Sequence, residues 1–143
     1  MLIGSYCHHA DAKGRLFIPA KWRDELSERF ILTRGTDQCI FCMPMKEWKR
    51  LSEKLSELPL TSREAQAVNR LFSRWATDCV LDKQGRVLVP QNLRAFAKME
   101  TNTTLIGVTT HIEIWNTSVL NEQDERADNG GEDIMEKAAG WGI

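Results

Sequence analysis

No apolar run in this chain approaches the ~18 residues that a membrane-crossing helix needs, so a helical membrane span is not expected. The opening residues, MLIGSYCHHADAKGR, lack the positively charged start and apolar stretch of a secretory signal. These two absences make a cytoplasmic address the default expectation. Also missing are a nucleophile elbow, a phosphate-cradling glycine loop and carboxylates clustered beside a histidine. His8, His9 and His111 therefore assemble no legible catalytic centre, and neither an enzyme nor a small-molecule substrate is expected. Cysteine is sparse: Cys7, Cys39, Cys42 and Cys79. Cys39 and Cys42 have CxxC spacing and Cys7 precedes two histidines, but no second CxxC follows. Ile40 and Phe41 put that pair on a strand, where residues three apart point to opposite faces. Buried thiols in a reducing compartment are the expectation, with no metal and no cofactor.

Net charge is scarce too, at −1, which first argues against a nucleic-acid partner. The balance is uneven along the chain, however. Seven acids and two bases fall between Glu122 and Ile143, leaving 17 bases against 13 acids in residues 1–121. An acidic end hides a mildly basic body of net +4. Hydrophobic content of 42% and charged content of 27% are those of a globular domain.

What is present is a repeat. DAKGRLFIPAKWRDEL begins at Asp11, and DKQGRVLVPQNLRAFA begins at Asp82. Asp-x-x-Gly has the chemistry of a type I turn, with Asp first and Gly fourth, and such a Gly readily takes the left-handed conformation of a bulged hairpin loop. Each copy is read as a β-hairpin turning at Asp11–Gly14 or Asp82–Gly85. The returning strands are Arg15–Ile18 and Arg86–Val89. Pro19 or Pro90 then suits the first turn of a helix, which Trp22 with Leu26, and Leu93 with Ala97, mark by i,i+4 apolar pairs. A second strand pair follows in each copy: FILT with CIFCM around Gly35-Thr36-Asp37, and TLIGV with IEIW around Thr109–His111. Each unit reads β-β-α-β-β.

Between the units the period changes to helical. Trp48, Leu51, Leu55 and Leu58 mark one helix, ended by Pro59; Ala65, Val68, Phe72 and Trp75 mark another, opened by a capping box at Thr61 and Glu64. The organisation expected is a first module at 5–47, a helical linker at 48–75, a second module at 76–119 and an acidic tail at 120–143. The tail is broken by Gly130-Gly131, with a short helix near Ile134–Ala139 and mobile chain elsewhere. The fold class expected is α+β; two such units can interleave and close one β-barrel, removing sheet edges, and Leu16, Ile18, Val87 and Val89 should then meet in one core.

DAKGRLFIPAKWR, LTRGTDQCIF, EKLSELPLT, DKQGRVLVP and HIEIW together resemble the MraZ family of bacterial transcriptional regulators, over essentially the whole chain. The resemblance implies two SpoVT-AbrB-type modules in a pseudo-twofold, AbrB-like swapped-hairpin barrel. It further implies a ring-shaped homo-oligomer, associated with the nucleoid, that binds repeated promoter elements of double-stranded DNA. Those elements precede the cell-division and cell-wall gene cluster, where such proteins usually act as repressors.

The repeated arginine supplies chemistry for that reading. Alternation along a strand puts Arg15 and Phe17 on one face and Leu16 and Ile18 on the other. A β-ribbon tipped with basic residues can enter the major groove, where arginine reaches guanine O6 and N7 and lysine neutralises phosphate. The candidate DNA-binding residues are Lys13, Gly14, Arg15, Lys83 and Arg86, and Asp11, Asp82 and Gly85 shape the turns. Pairing of Arg15 with Asp11 across the turn is compatible with this, because it aims the guanidinium before DNA arrives. Weak charge per chain is offset when a ring presents several turns to repeated sites. The rival reading is an antitoxin-like protein that binds both DNA and a protein partner, but two modules and a tail of about 22 residues fit it less well.

Overall fold

A computed structural model of the chain describes residues 1–129 and 134–143; the Gly130-Gly131 break lies outside them. The first repeat supplies β1 (Leu2–His9), β2 (Arg15–Phe17), α1 (Ala20–Leu26), β3 (Phe30–Arg34) and β4 (Ile40–Pro44). Two helices follow, α2 (Met45–Ser56) and α3 (Arg63–Trp75). The second repeat supplies β5 (Thr77–Cys79), β6 (Arg86–Leu88), α4 (Gln91–Phe96), β7 (Asn102–Thr109) and β8 (Ile112–Asn116), and the chain continues into α5 (Thr117–Asn129) and α6 (Ile134–Ala139). The molecule is mixed α and β with antiparallel pairing throughout its sheets. No helix among the described residues is long and apolar enough to cross a membrane.

The pairing crosses between repeats. Six strands run in the order β1-β7-β8-β4-β3-β5, and β2 and β6 form a separate two-stranded ribbon. Strand β1 of the first repeat lies along β7 of the second, from Leu2 opposite Thr109 to His9 opposite Asn102. In return, β5 of the second repeat lies along β3 of the first, with Phe30 opposite Cys79. This corrects the hairpin reading of the repeat. The Asp-x-x-Gly turn forms as expected, with the Gly14 N–H on the Asp11 carbonyl at 3.0 Å and the Asp11 N–H on the Arg15 carbonyl at 3.0 Å. Beyond it, however, β1 and β2 part and each pairs with the other repeat. Local chemistry closes a turn; which strands then pair is decided by burial at long range.

That burial is shared. Leu16, Ile18, Trp22, Leu26, Phe30 and Leu32 of the first repeat meet Val87, Val89, Leu93, Ala97, Leu105, Ile112 and Ile114 of the second in one apolar cluster. The expected meeting of Leu16 and Ile18 with Val87 and Val89 is thus observed. Each Val, Leu, Ile or Phe among them, fully removed from water, contributes about 1.5–3 kcal/mol. Trp22 also donates its indole N–H to the Ile3 carbonyl at 3.2 Å and meets the Tyr6 ring edge-on at 5.0 Å, so α1 is tied to β1.

The helix pair is fastened to the sheet through Thr33, whose hydroxyl donates to the Phe72 carbonyl at 2.9 Å. Arg34 lays its guanidinium over Phe96 at 4.3 Å and near Trp75 at 5.8 Å, joining β3 to the end of α3 and to α4. Helix α3 starts one residue later than the Thr61 box implies. Ser62 is its N-cap, with its hydroxyl accepting from the Ala65 N–H at 3.2 Å. The tail differs more. Short helix α6 is where the pattern put it, but the start of the tail, expected to be mobile from residue 120, is helical as part of α5 (Thr117–Asn129). Asn116, buried at the end of β8, accepts from the Ser118 N–H at 2.9 Å and so starts that helix.

Within the first repeat only β3 and β4 pair with each other, while β1 and β2 find their partners in the second; residues 1–47 expressed alone are therefore expected to be unfolded or to self-associate. A dispersed NMR spectrum from a monomeric 1–47 fragment would contradict the interleaved pairing.

Candidate nucleic-acid interface: the crossed ribbon and its turns

The ribbon pairs Arg15 with Leu88, Leu16 with Val87 and Phe17 with Arg86. Alternation then sorts the faces: Leu16 and Val87 are wholly buried, whereas Phe17 and Leu88 are exposed and the two arginines partly so. Arg15 and Arg86 occupy opposite corners of the outward face.

Each arginine is held by the first residue of its own turn. Asp11 Oδ1 accepts the backbone N–H groups of Lys13 and Arg15, both at 2.9 Å, and its Oδ2 accepts from Arg15 Nε at 2.6 Å. Asp82 repeats the arrangement with Gln84 and Arg86, its Oδ2 accepting from Arg86 Nε at 2.9 Å. Both carboxyls are held below the ordinary carboxylate range, chiefly by the backbone N–H of Arg15 or Arg86, with the arginine side chain adding to it. The copies differ in how firmly the arginine is engaged. The Arg86 side chain is 20% exposed, lies 3.9 Å from Asp11 as well and sits 5.8 Å from the Phe17 ring centre, whereas the Arg15 side chain is 35% exposed. Lys13 and Lys83 stand in solvent at the two tips.

Gly14 and Gly85 are buried, at φ +85° and +80°, in the left-handed region. Their carbonyls are engaged across the two repeats: Val89 N–H donates to Gly14 and Ile18 N–H to Gly85, each at 3.0 Å. Gly14, counted with the contact residues from sequence, has both backbone groups hydrogen-bonded inside the protein.

Two further residues complete the site. Arg23 on α1 covers Gly85, and Arg94 on α4 covers Gly14, so closely that a Cβ on either glycine would collide with the guanidinium. Each arginine is fixed by its Nε, which donates at 2.9 Å to the Ile18 or the Val89 carbonyl. Neither has a carboxylate within 4.0 Å among the described residues. Sequence reasoning missed both, although the signal was in the repeat: each stands eight positions after the Gly-Arg arginine. The ribbon, its turns and these supports bring together Lys13, Arg15, Arg23, Lys83, Arg86 and Arg94 around two acids, Asp11 and Asp82.

The cysteines and histidines sit differently. Cys39 precedes β4 and donates its thiol to the Thr36 carbonyl at 3.2 Å, while Cys42 lies in the apolar core. Burial raises the pKa of Cys39 and Cys42, and that of Cys79 to about 11, so these thiols stay protonated. His111 packs on Phe41 with ring centres 4.4 Å apart, and burial lowers its pKa. Among the described residues no three His, Cys, Asp or Glu side chains converge as a metal site.

Fold and site together define a duplicated antiparallel protein in which the repeated motif is gathered on one arginine-bearing ribbon. The chain belongs to the MraZ family. The family model described as "MraZ protein, putative antitoxin-like" matches it twice, at residues 1–71 and 72–138. Curated relatives agree along the full length. The chain is 50% identical to a protein of Caldicellulosiruptor saccharolyticus, 46% identical to one of Caldanaerobacter subterraneus subsp. tengcongensis and 44% identical to one of Desulfitobacterium hafniense, with 100% of both chains covered in each case. Each of the three is named "Transcriptional regulator MraZ".

The two depressed carboxyls give the turns a pH signature. A group whose folded pKa lies below its unfolded value stabilises the fold above the unfolded pKa, and that contribution is lost as pH falls through the folded value. The double variant Asp11→Ala, Asp82→Ala should therefore melt below the wild type at neutral pH, and the gap should narrow from about pH 4 downward. Thermal melts across that range check it; a gap that persists undiminished to about pH 2 would contradict it.

Proposed function

We propose that this chain is a sequence-specific DNA-binding transcriptional regulator that offers its crossed ribbon to the major groove. One observation carries the reading: Arg15 and Arg86 project from opposite corners of a two-stranded ribbon, each aimed by an aspartate of its own turn. A guanidinium so held needs little ordering when it meets the paired acceptors of a guanine edge. Lys13 and Lys83, exposed at the tips, serve phosphates flanking the contacted bases. Arg15, the more exposed of the two arginines, reads DNA more strongly; Arg86, more deeply engaged, contributes less. The names of the relatives support transcriptional regulation as the setting.

The finer account follows the family resemblance. Modules at 5–47 and 76–119, joined by the helical segment 48–75 and followed by the acidic tail 120–143, form a pseudo-twofold swapped-hairpin barrel. The exchange of β1 and β5 between repeats supports that architecture. Copies of the chain assemble into a ring that engages repeated promoter elements of the cell-division and cell-wall gene cluster, acting there as a repressor in the nucleoid. Multiplicity offsets the modest charge of one body, because linked contacts add counterion release along the DNA.

Arg15→Ala tests the site. With its side chain on the outward face, the variant should keep its melting temperature and its assembly. It should lose sequence-specific binding to the DNA upstream of its own gene, by about 1–3 kcal/mol for each contacting ribbon. An undiminished mobility shift from the purified variant would remove Arg15 from the interface.

A further inference from the structure

The outward face of the ribbon carries more than arginine. Phe17 is 41% exposed and Leu88 is 58% exposed, and each lies beside an arginine of the opposite strand, Phe17 facing Arg86 and Leu88 facing Arg15. A single exposed apolar side chain calls for no explanation. Here the third residue of the strand is apolar in both repeats, and the pseudo-twofold brings the two onto one face. They form one diagonal of a square whose other diagonal is the arginine pair. Neither belongs to the apolar cluster beneath, which is filled from the inward face by Leu16 and Val87. The position is therefore not required to be apolar by the fold.

A surface on which guanidinium and hydrocarbon alternate matches a particular kind of partner. In the major groove, guanine offers two acceptors to arginine, while thymine offers the only methyl group, which apolar side chains contact. The spacing is suited to bases. Residues two apart on a strand stand about 6.7 Å from each other, close to the rise of two base steps when the strand follows the groove.

Building on the DNA-binding reading above, we propose that Phe17 and Leu88 are specificity residues that contact the 5-methyl groups of thymines beside the bases read by Arg15 and Arg86. Because one position is an aromatic ring and the other a branched aliphatic chain, the two halves of the ribbon are unequal. The thymine requirement then differs between the two halves of a site.

The probe is a set of duplexes selected by the full-length wild type from a random pool, then resynthesised with deoxyuridine replacing thymine one position at a time. That change removes only a methyl group. Wild-type affinity should fall about fourfold for each contacted methyl, the factor that corresponds to burying one such group. Phe17→Ser should become indifferent to the substitution at one subset of positions and Leu88→Ser at another, with both variants still requiring Arg15 for binding. Leu88→Ser, altered at the more solvent-exposed of the two side chains, keeps the test valid if Phe17→Ser loses stability. Equal wild-type affinity for thymine and uracil duplexes would overturn the proposal while leaving the arginine reading intact. So would variants that assemble differently yet retain the wild-type thymine preference, which would assign the pair to contacts between copies of the chain. A wild type that selects no sequence, or selects one without needing Arg15, would overturn the DNA-binding reading and this proposal together.

Discussion

Two backbone hydrogen bonds, Ile18 N–H to the Gly85 carbonyl and Val89 N–H to the Gly14 carbonyl, are the constraint on which the rest of the molecule depends. They join the end of each repeat's inner strand to the turn of the other repeat. Neither turn is then held by its own unit alone. The glycine must be left-handed to aim its carbonyl across, and it must lack a side chain because a guanidinium from the opposite helix lies on it. Arg23 and Arg94 finish the lock by bonding the carbonyls of the same two residues, Ile18 and Val89, whose amides cross. In a buried setting such bonds matter less for their net gain than for the cost of leaving them unmade.

From that lock the surface chemistry follows. With the turns fixed, Asp11 and Asp82 cap them from within, and the same carboxylates set the direction of Arg15 and Arg86. With the strands fixed, alternation leaves only the arginines, Phe17 and Leu88 facing outward. The repeat thus behaves as a homodimer made covalent: the turn aspartates, the glycines, Arg15 with Arg86 and Arg23 with Arg94 match between halves. Divergence falls both outside, at Lys13 against Gln84 and Phe17 against Leu88, and in the core, at Leu16 against Val87 and Trp22 against Leu93.

Much of this was legible in the sequence, where a residue's role depends on its neighbours along the chain. Asp-x-x-Gly announced both turns, strand alternation separated Arg15 from Leu16, and helical spacing located α2 and α3. What escaped was set by distance along the chain. Turn chemistry cannot tell whether β2 returns to β1 or crosses to β6, because the same turn serves both. Arg23 and Arg94 went unassigned, since the glycines they cover belong to the other repeat. Thr61 and Ser62 offer the same capping hydroxyl, and only the path of the backbone distinguishes them. The helix Thr117–Asn129 carries little apolar patterning, so its polar part from residue 120 read as loose chain; its start is fixed instead by Asn116 and by the Thr104–Thr117 hydroxyl contact at 2.8 Å.

Amide hydrogen exchange on Arg23→Ala and Arg94→Ala tests the crossed lock most directly. Loss of Arg23, in the first repeat, should accelerate exchange at Gly85 and Arg86 in the second, while Gly14 and Arg15 keep wild-type protection. Loss of Arg94 should do the reverse. If each substitution instead loosened only the turn of its own repeat, the two units would be self-supporting, and the account of one interdependent ribbon would be wrong.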